Sequence, residues 1–209
     1  MSARAVAIAM DGAAHAGDLQ LPATPRGIVL FAHGSGSSRL SPRNRYVADV
    51  LVRQGMATLL FDLLTPEEDA QPRARFDIGL LTRRLLTATA WLADVPEVAR
   101  LPIGYFGAST GAAAALRAAA IQPQVRAVVA RGGRPDLAEP ELRNVEAATL
   151  LIVGGNDPQV LALNRAACAQ LRGTRRLEVI PGATHLFEEP GALEAVAELA
   201  PSWFERYLR

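Results

Sequence analysis

The feature of this sequence that most constrains its fold is a regular alternation between short apolar runs and longer amphipathic stretches. From residue 27 onward the runs are "GIVLFAH", "MATLLFD", "PIGYFG", "VRAVVA", "ATLLIVGG" and "RLEVI". Continuous apolar runs of this length suit strands that are buried on both faces of a parallel sheet. The stretches between them predict helices over roughly 42–54, 77–94, 110–121, 158–171 and 191–208. The alternation therefore predicts an α/β protein with helices on both faces of the sheet.

Two apolar runs near the N-terminus, "AVAIAM" and "DLQLP", bracket a turn of small residues and predict an antiparallel hairpin. Together with the later runs they predict a mostly parallel sheet of about eight strands. The 209 residues fit one domain, so we treat 1–209 as a single unit with one core. No long insertion separates "VRAVVA" from "ATLLIVGG", and we therefore expect no large lid.

Ligands of parallel α/β sheets bind outside the carboxyl ends of the strands, and Ser109 lies at one of these ends. It stands in "GYFGASTGAAAALRAAA", inside a Gly-x-Ser-x-Gly pattern between a strand and an alanine-rich helix. A sharp strand-to-helix turn lifts a serine hydroxyl clear of the backbone, which requires small neighbours such as Gly107, Gly111 and Ala112. The alternative is a tight turn whose serine caps the helix. The flanking strand and helix favour a nucleophile.

A serine nucleophile needs a base, and the chain has three histidines. His185, in "PGATHLFEEPG" after the last strand, lies at the correct end of the sheet to reach Ser109. His15 falls in the N-terminal hairpin and His33 ends the strand "GIVLFAH", which makes both weaker candidates. The alternative for His185 is a surface histidine without a catalytic role.

The acid that orients the base is expected after a strand between the serine and the histidine. Asp157, in "LLIVGGNDPQV", follows such a strand directly and is our first candidate. Because Pro158 is a good first residue of a helix, Asp157 also fits a helix N-cap. Asp136, in "RGGRPDL", is the rival, since it follows the preceding strand. Glu188 and Glu189 are too near the histidine in sequence to be first choices.

The order Ser, Asp, His on alternating strands and helices resembles the α/β-hydrolase superfamily. The motifs "HGSGSS", "GASTG", "GGND" and "GATH" carry this resemblance over nearly the whole chain, and the short chain without an insertion is similar to the dienelactone hydrolase-like family. The resemblance implies ester hydrolysis. The sequence differs from this family at one position. Dienelactone hydrolases carry cysteine at the nucleophile position, where this chain has Ser109. The single cysteine, Cys168, lies among apolar residues of a predicted helix and is interpreted as core.

The resemblance also implies an oxyanion hole, in which two backbone amides stabilise the charge of the tetrahedral intermediate. One amide belongs to the residue after the nucleophile, Thr110. The other comes from the loop after the third strand, where Ser35 is flanked by Gly34 and Gly36. A phosphate cradle is the competing interpretation of this loop, but the chain has no lysine and no Walker pattern.

Arginines follow two of the strands whose ends surround the expected site. Arg39 and Arg43 come after the oxyanion loop, and Arg131 and Arg134 come after the sixth strand. We expect Arg39, Arg43 and Arg134 to bind an anionic group of the substrate, because a guanidinium pairs well with a carboxylate. The alternative is a set of solvated or structural arginines.

The formal net charge of +1 gives no field that would attract nucleic acid or an anionic membrane. No apolar segment is long enough to span a bilayer, and Asp11 and Gly12 break the N-terminal run before it reaches the length of an export signal. A single cysteine excludes an internal disulfide and agrees with a cytoplasmic location. The sequence therefore predicts a cytoplasmic protein whose partner is a small molecule, and it leaves the oligomeric state open.

We therefore expect a carboxylic ester hydrolase in which Ser109 attacks the carbonyl, His185 takes its proton and Asp157 orients the histidine. The expected substrate is a small ester, with lactones and thioesters as related classes, and the chemistry calls for no metal or organic cofactor. Two alternatives stay open. An acyltransferase would use the same residues, and a non-catalytic binding protein on the hydrolase fold would keep the motifs without turnover.

Overall fold

The computed structural model describes residues 3–209, which form one eight-stranded sheet in the order β1-β2-β4-β3-β5-β6-β7-β8. The strands are β1 (Arg4–Met10), β2 (Ala13–Gln20), β3 (Ile28–Ala32), β4 (Ala57–Phe61), β5 (Ile103–Ala108), β6 (Val125–Arg131), β7 (Ala148–Gly154) and β8 (Arg175–Ile180). The hairpin β1–β2 joins β4 in antiparallel register, whereas the neighbours from β4 to β8 are all parallel. The predicted α/β architecture is confirmed.

Helices cover both faces of the sheet, as predicted. They are α1 (Pro42–Arg53), α2 (Pro66–Asp69), α3 (Pro72–Arg75), α4 (Ile78–Trp91), α5 (Thr110–Ile121), α6 (Pro158–Gln170) and α7 (Ala192–Tyr207). On one face, α1 and α7 bury residues such as Leu51 and Phe204 against the central strands. On the other face, α4 and α5 pack Leu85 and the alanines of α5 against the same strands. Small side chains on α5 allow it to lie close to β5, so the turn between them is short.

The segment 65–77 is rich in proline and charged residues, as solvated loops are, but it contains two one-turn helices. Thr65 and Glu68 form a reciprocal cap at the start of α2: the Glu68 amide donates to Thr65 Oγ1, and the Thr65 amide donates to the Glu68 carboxylate. This capping box satisfies two amides that a short helix would otherwise leave open. Within residues 3–209, no helix is both long and apolar enough to cross a membrane.

Candidate active site

Ser109 occupies the turn between β5 and α5 in a conformation that side chains rarely adopt. Its φ is 50° and its ψ is −120°, and its side chain makes no capping hydrogen bond to α5. A Cβ added to Gly107 would lie 2.5 Å from the Cα of Ala112, and one added to Gly111 would lie 2.1 Å from the carbonyl oxygen of Ala32. Because both glycines are needed for the close approach, the "GASTG" pattern is explained by the geometry of the turn.

A hydrogen-bonded chain runs from Ser109 through His185 to Asp157. The distance from His185 Nε2 to Ser109 Oγ is 3.4 Å, and the distance from His185 Nδ1 to Asp157 Oδ2 is 2.7 Å. The other oxygen of Asp157 accepts from the amide of Val160 at 3.4 Å and caps α6. One carboxylate oxygen of Asp157 thus contacts the histidine and the other caps a helix, so the two interpretations of this residue are compatible.

The loop that carries His185 is fixed from two directions. The amide of Asn156 donates to the carbonyl of Ala183 at 2.9 Å, which ties the loop to the end of β7. Further along the chain, Glu189 accepts from the amide of Thr184 at 3.1 Å and from its hydroxyl at 2.6 Å. The Thr184 hydroxyl lowers the pKa of Glu189, so this carboxylate stays ionised and keeps the loop in place.

The rival residues are occupied elsewhere. His15 is buried in the hairpin, where Nδ1 lies 2.8 Å from the carbonyl oxygen of Asp62. His33 accepts from the amide of Leu63 at 3.0 Å through Nε2. Asp136 pairs with the neighbouring Arg134 at 2.7 Å. Among the described residues, none of these three side chains forms a hydrogen bond to the Ser109 side chain.

The loop that carries Ser35, predicted to supply an oxyanion-hole amide, lies directly against Ser109. A Cβ on Gly34 would be 3.1 Å from Ser109 Cβ, and Gly36 has a φ of +66°. Ser35 lines the cavity in front of Ser109. Thr110 is the first residue of α5, so its N–H has no partner within the helix. Of the two residues predicted to supply these amides, Ser35 lines the cavity in front of Ser109 and Thr110 directly follows Ser109 in the chain.

A cavity of about 170 Å³ opens above Ser109 and His185. Three of the residues that line it are Arg43, Asn44 and Arg131, which we call the arginine wall. Nothing among residues 3–209 groups three or more His, Cys, Asp or Glu side chains as a metal ion would require. The cavity therefore brings together a serine hydroxyl, an imidazole ring and two guanidinium groups.

The structure does not bring Arg39 and Arg134 to this cavity, contrary to expectation. Arg39 pairs with Asp62 at 2.7 Å, and Arg134 pairs with Asp136. Both arginines follow the expected strands, but Arg39 pairs with a carboxylate on the loop after β4, and Arg134 pairs with one two residues further along its own loop. Arg43 does line the cavity, as predicted.

Arg131 ends β6 and is the more buried of the two arginines in the arginine wall, with 6% of its surface exposed. Its guanidinium lies 5.7 Å from the centre of the Phe187 ring and donates to Asn44 Oδ1 at 3.4 Å. Burial, with a smaller effect of the charge on Arg43, lowers the pKa of Arg131 to about 10. The group still carries its charge at neutral pH.

Asn44 is a site residue that sequence reasoning missed. It is 2% exposed and lies on the buried face of α1 together with Val47, Ala48 and Leu51. In the sequence, Asn44 takes the first position of an apolar i, i+3, i+4, i+7 series. A polar residue at such a position indicates a buried hydrogen bond. The hydrogen bond from Arg131 explains why a polar side chain is buried at this position.

Comparison with known proteins agrees with the fold. Residues 16–208 match the sequence model described as the dienelactone hydrolase family. A solved structure described as dienelactone hydrolase from Anabaena variabilis is 58% identical, with a TM-score of 0.96, and covers 100% of this chain and 99% of that chain. Est1E from Butyrivibrio proteoclasticus is 17% identical with a TM-score of 0.83, covers 97% of this chain and 98% of that chain, and shows the fold alone.

Curated relatives carry other names. A protein of Mycobacterium tuberculosis, provisionally named a phosphoribosyl transferase, is 63% identical over 194 residues, which are 92% of this chain and 44% of that protein. A polyketide transferase of Penicillium crustosum is 32% identical over 123 residues, which are 52% of this chain and 40% of that protein. The chain thus spans less than half the length of these relatives.

Proposed function

The chain belongs to the dienelactone hydrolase family, and we propose that it is a serine hydrolase that cleaves an ester bond of a small substrate through an acyl-enzyme intermediate. The hydrogen-bonded chain Ser109–His185–Asp157 is the observation that carries the proposal. The resemblance inferred from the motifs is confirmed at the level of the family, and the roles of the individual residues are part of the proposal.

The first step is the activation of Ser109. Asp157 accepts a hydrogen bond from His185 Nδ1, which leaves the lone pair of Nε2 directed at the serine hydroxyl. The 3.4 Å between Nε2 and Oγ is longer than a strong hydrogen bond. Such contacts in empty sites commonly shorten when the substrate binds. As Oγ forms a bond to the carbonyl carbon, its proton passes to Nε2.

The second step is the collapse of the tetrahedral intermediate. The amides of Ser35 and Thr110 stabilise the negative charge on the former carbonyl oxygen. The protonated His185 then gives its proton to the leaving alkoxide, and the acyl group remains on Ser109. Water, deprotonated by the same histidine, attacks the acyl-enzyme and releases the acid. None of these steps calls for a metal or an organic cofactor.

The same intermediate supports acyl transfer as a second candidate function. The 32% identity with a polyketide transferase is the observation that favours it. An acceptor alcohol or amine would replace water in the last step, with no change in the residues used. Phosphoribosyl transfer is not assigned to this chain, which spans 44% of the relatives that carry this name and whose site is built around a nucleophilic serine.

Labelling with a fluorophosphonate tests the proposal. Ser109 Oγ should attack the phosphorus and release fluoride, giving one adduct that mass spectrometry locates at Ser109. Ser109→Ala should remove the adduct and His185→Ala should slow its formation, whereas Ser202→Ala, on the exposed side of α7, should label like the wild type. A folded protein without an adduct would indicate a binding protein instead. An added alcohol that appears in the product would identify acyl transfer.

A further inference from the structure

The segment after β6, which we call the 131–134 loop, lies against the backbone of Ser109. The amide of Ser109 donates to the carbonyl of Arg131 at 3.2 Å, and the carbonyl of Ser109 accepts from the amide of Arg134 at 3.1 Å. Ser109 has a φ of 50°, and a strained backbone conformation persists only where its surroundings hold it. The loop supplies two of the hydrogen bonds that hold this conformation.

The same loop also lies against His185. Gly132 has a φ of +53°, and a Cβ at this position would be 3.5 Å from His185 Nδ1 and 3.2 Å from the His185 carbonyl oxygen. The next glycine, Gly133, packs on the first turn of α5, where its Cβ would be 2.8 Å from the Cβ of Ala112. Because the loop contacts both Ser109 and His185, its position affects the distance between the serine Oγ and the histidine Nε2.

Asn164 fastens this loop to α6. Its side chain is 0% exposed, and its Nδ2 donates to the carbonyl of Gly133 at 2.9 Å and to the carbonyl of Val160, one turn back on the helix, at 2.8 Å. Asp157 caps the start of the same helix and binds His185. Asn164 therefore joins the helix beside the acid to the loop beside the serine.

Packing alone does not explain a buried amide at position 164. The other buried side chains of α6, Val160 and Ala167, are apolar. An asparagine among them loses its contacts with water, and only hydrogen bonds within the protein can replace these. Among residues 3–209, Asn164 Oδ1 has no hydrogen-bond donor, so only the Nδ2 half of the amide is compensated. The role of this side chain therefore lies in its donor group and in the Gly133 carbonyl that the donor holds.

We propose that Asn164 is a positioning residue, which holds the 131–134 loop in place and thereby keeps Ser109 Oγ within reach of His185 Nε2. This inference rests on the proposed function, because it concerns the activation of the serine. Asn164 does not line the cavity, so it acts through the loop. Without the Nδ2 donor, the Gly133 carbonyl is released and the backbone of Ser109 relaxes from its strained conformation. The hydroxyl is then aligned with the histidine for less of the time, and its attack on the substrate slows.

The rate constant for fluorophosphonate labelling of Ser109 tests the proposal, because it describes the reactive molecules and does not depend on how much of the protein is folded. Asn164→Leu keeps a buried side chain of similar size but has no donor. Its labelling rate constant should be about tenfold or more below that of the wild type, since small displacements of reacting groups slow reactions by this order. The end point should stay at a single adduct for each chain. Ester hydrolysis should show a similar fall in kcat, with KM close to that of the wild type.

Ala167→Gly is the matched control. Ala167 is buried on the same helix, three residues after Asn164, and glycine weakens the helix without removing a hydrogen bond to the 131–134 loop. This variant should have a lower melting temperature than the wild type but the same labelling rate constant. Asn164→Ala also removes the donor, and its result decides if Asn164→Leu does not fold.

The outcomes separate the inference from the proposed function. An unchanged rate constant in Asn164→Leu and Asn164→Ala, or an equal fall in Ala167→Gly, overturns the positioning role, while labelling of the wild type at Ser109 retains the proposed function. A lower end point with an unchanged rate constant shows a structural role alone and also overturns the inference. A folded wild type that does not label loses the proposed function, and the positioning role with it.

Discussion

Two buried arginines of this protein are held in opposite ways. Arg84, on α4, is 3% exposed, and its three nitrogen atoms meet Asp11 at 2.8 Å, Glu68 at 2.9 Å and the ring of His15. We call this group the hairpin cluster, because it fastens β1 and β2 to the body of the protein. Arg131 is nearly as buried, but its only side-chain hydrogen bond among residues 3–209 is a long one to the neutral Asn44, and it lies over the Phe187 ring without a carboxylate partner. A structural charge is compensated within the chain, whereas a charge left uncompensated beside a cavity is available to a ligand.

The backbone shows the same contrast. Asp11 has a φ of +47°, and the next residue, Gly12, has a φ of +82°. Together they form the tight turn that the twist of a two-stranded hairpin favours. Ser109 has a similar φ of +50°, but its turn leads into a helix and gains nothing for a hairpin. The strained backbone at Ser109 therefore exposes the serine hydroxyl, whereas the strained backbone at Asp11 reverses the chain between β1 and β2.

The substitution Ser109→Gly tests this contrast with the largest expected effect. It should lower kcat/KM by about 10⁵-fold, because it removes the nucleophile. The same change should raise the free energy of unfolding by about 1 kcal/mol, because glycine adopts the conformation of residue 109 without strain. Ester hydrolysis and urea denaturation measure the two effects.

Ser202→Gly is the control, since Ser202 lies on an exposed face inside α7. There the same chemical change should leave kcat/KM unaltered and lower the free energy of unfolding by about 0.5 kcal/mol. A loss of stability in both variants would contradict the interpretation that the Ser109 backbone is strained.

Asp157 has both a proposed catalytic contact and a structural one. One carboxylate oxygen binds His185, and the other caps α6. Asparagine is as good a cap as aspartate, but its amide cannot hold the histidine tautomer that activates the serine. Asp157→Asn should therefore lower kcat by about 10⁴-fold and change the free energy of unfolding by less than about 0.5 kcal/mol. Asp157→Ala should cost about 1 kcal/mol of stability as well. Equal stability of the two variants would show that the cap contributes nothing.

The fold was predictable from the sequence because the buried strands are apolar on both faces, so that short runs such as "GIVLFAH" stand out. The strand-to-helix turn at Ser109 was equally visible, since its glycines are required by contacts of 2.1 and 2.5 Å. The helices α2 and α3 were missed because Pro, Gln and charged residues over 65–77 fit a loop as well as a one-turn helix. Hydrogen bonds such as the Thr65–Glu68 box decide between them.

The arginines show what sequence position leaves undetermined. Arg131 and Arg134 are three residues apart at the end of the same strand, yet Arg131 faces the cavity and Arg134 pairs with Asp136. The side chains of Arg39 and Arg43 diverge in the same way, towards Asp62 and towards the cavity. Arg39 is turned by a carboxylate on another loop, and Arg134 by a carboxylate two residues along its own loop. Strand order predicts which loops meet, but not which side chains within them pair.

Replacing each buried arginine by methionine compares the two regions directly. Arg84→Met should lower the free energy of unfolding by about 3 kcal/mol, because it leaves the partners of a compensated charge without their cation. Arg131→Met should change it by less than about 1 kcal/mol, or raise it, because the charge that is removed has no ion-pair partner to lose. Urea denaturation of both variants gives the difference. A larger loss for Arg131→Met would show that Arg131 has a structural role, and that the contrast between the two arginines is wrong.

His33 gives the smallest of these effects, through the dependence of stability on pH. It is 5% exposed, its Nε2 accepts from the amide of Leu63 at 3.0 Å, and its Nδ1 lies 3.1 Å from the carbonyl oxygen of Gly34. The neutral ring satisfies both groups, with the proton on Nδ1. Protonation of Nε2 would remove the acceptor of the Leu63 amide. Burial accordingly lowers the pKa of His33 below its ordinary value of 6.5.

A lowered pKa means that the unfolded chain binds this proton more readily than the folded one. The contribution of His33 is therefore constant above about pH 6.5, and the free energy of unfolding falls as the pH drops from 6.5 towards the pKa of the folded state. The urea midpoint of the wild type should decrease over this range, and that of His33→Gln should decrease less, since glutamine accepts from the Leu63 amide without titrating. Equal slopes in the two proteins would assign the pH dependence to other groups, and a steeper slope in His33→Gln would contradict the assigned tautomer. The result bears on the comparison of Arg84 with Arg131. His33 precedes the loop beside Ser109, but its polar atoms have partners within the chain, as those of Arg84 do.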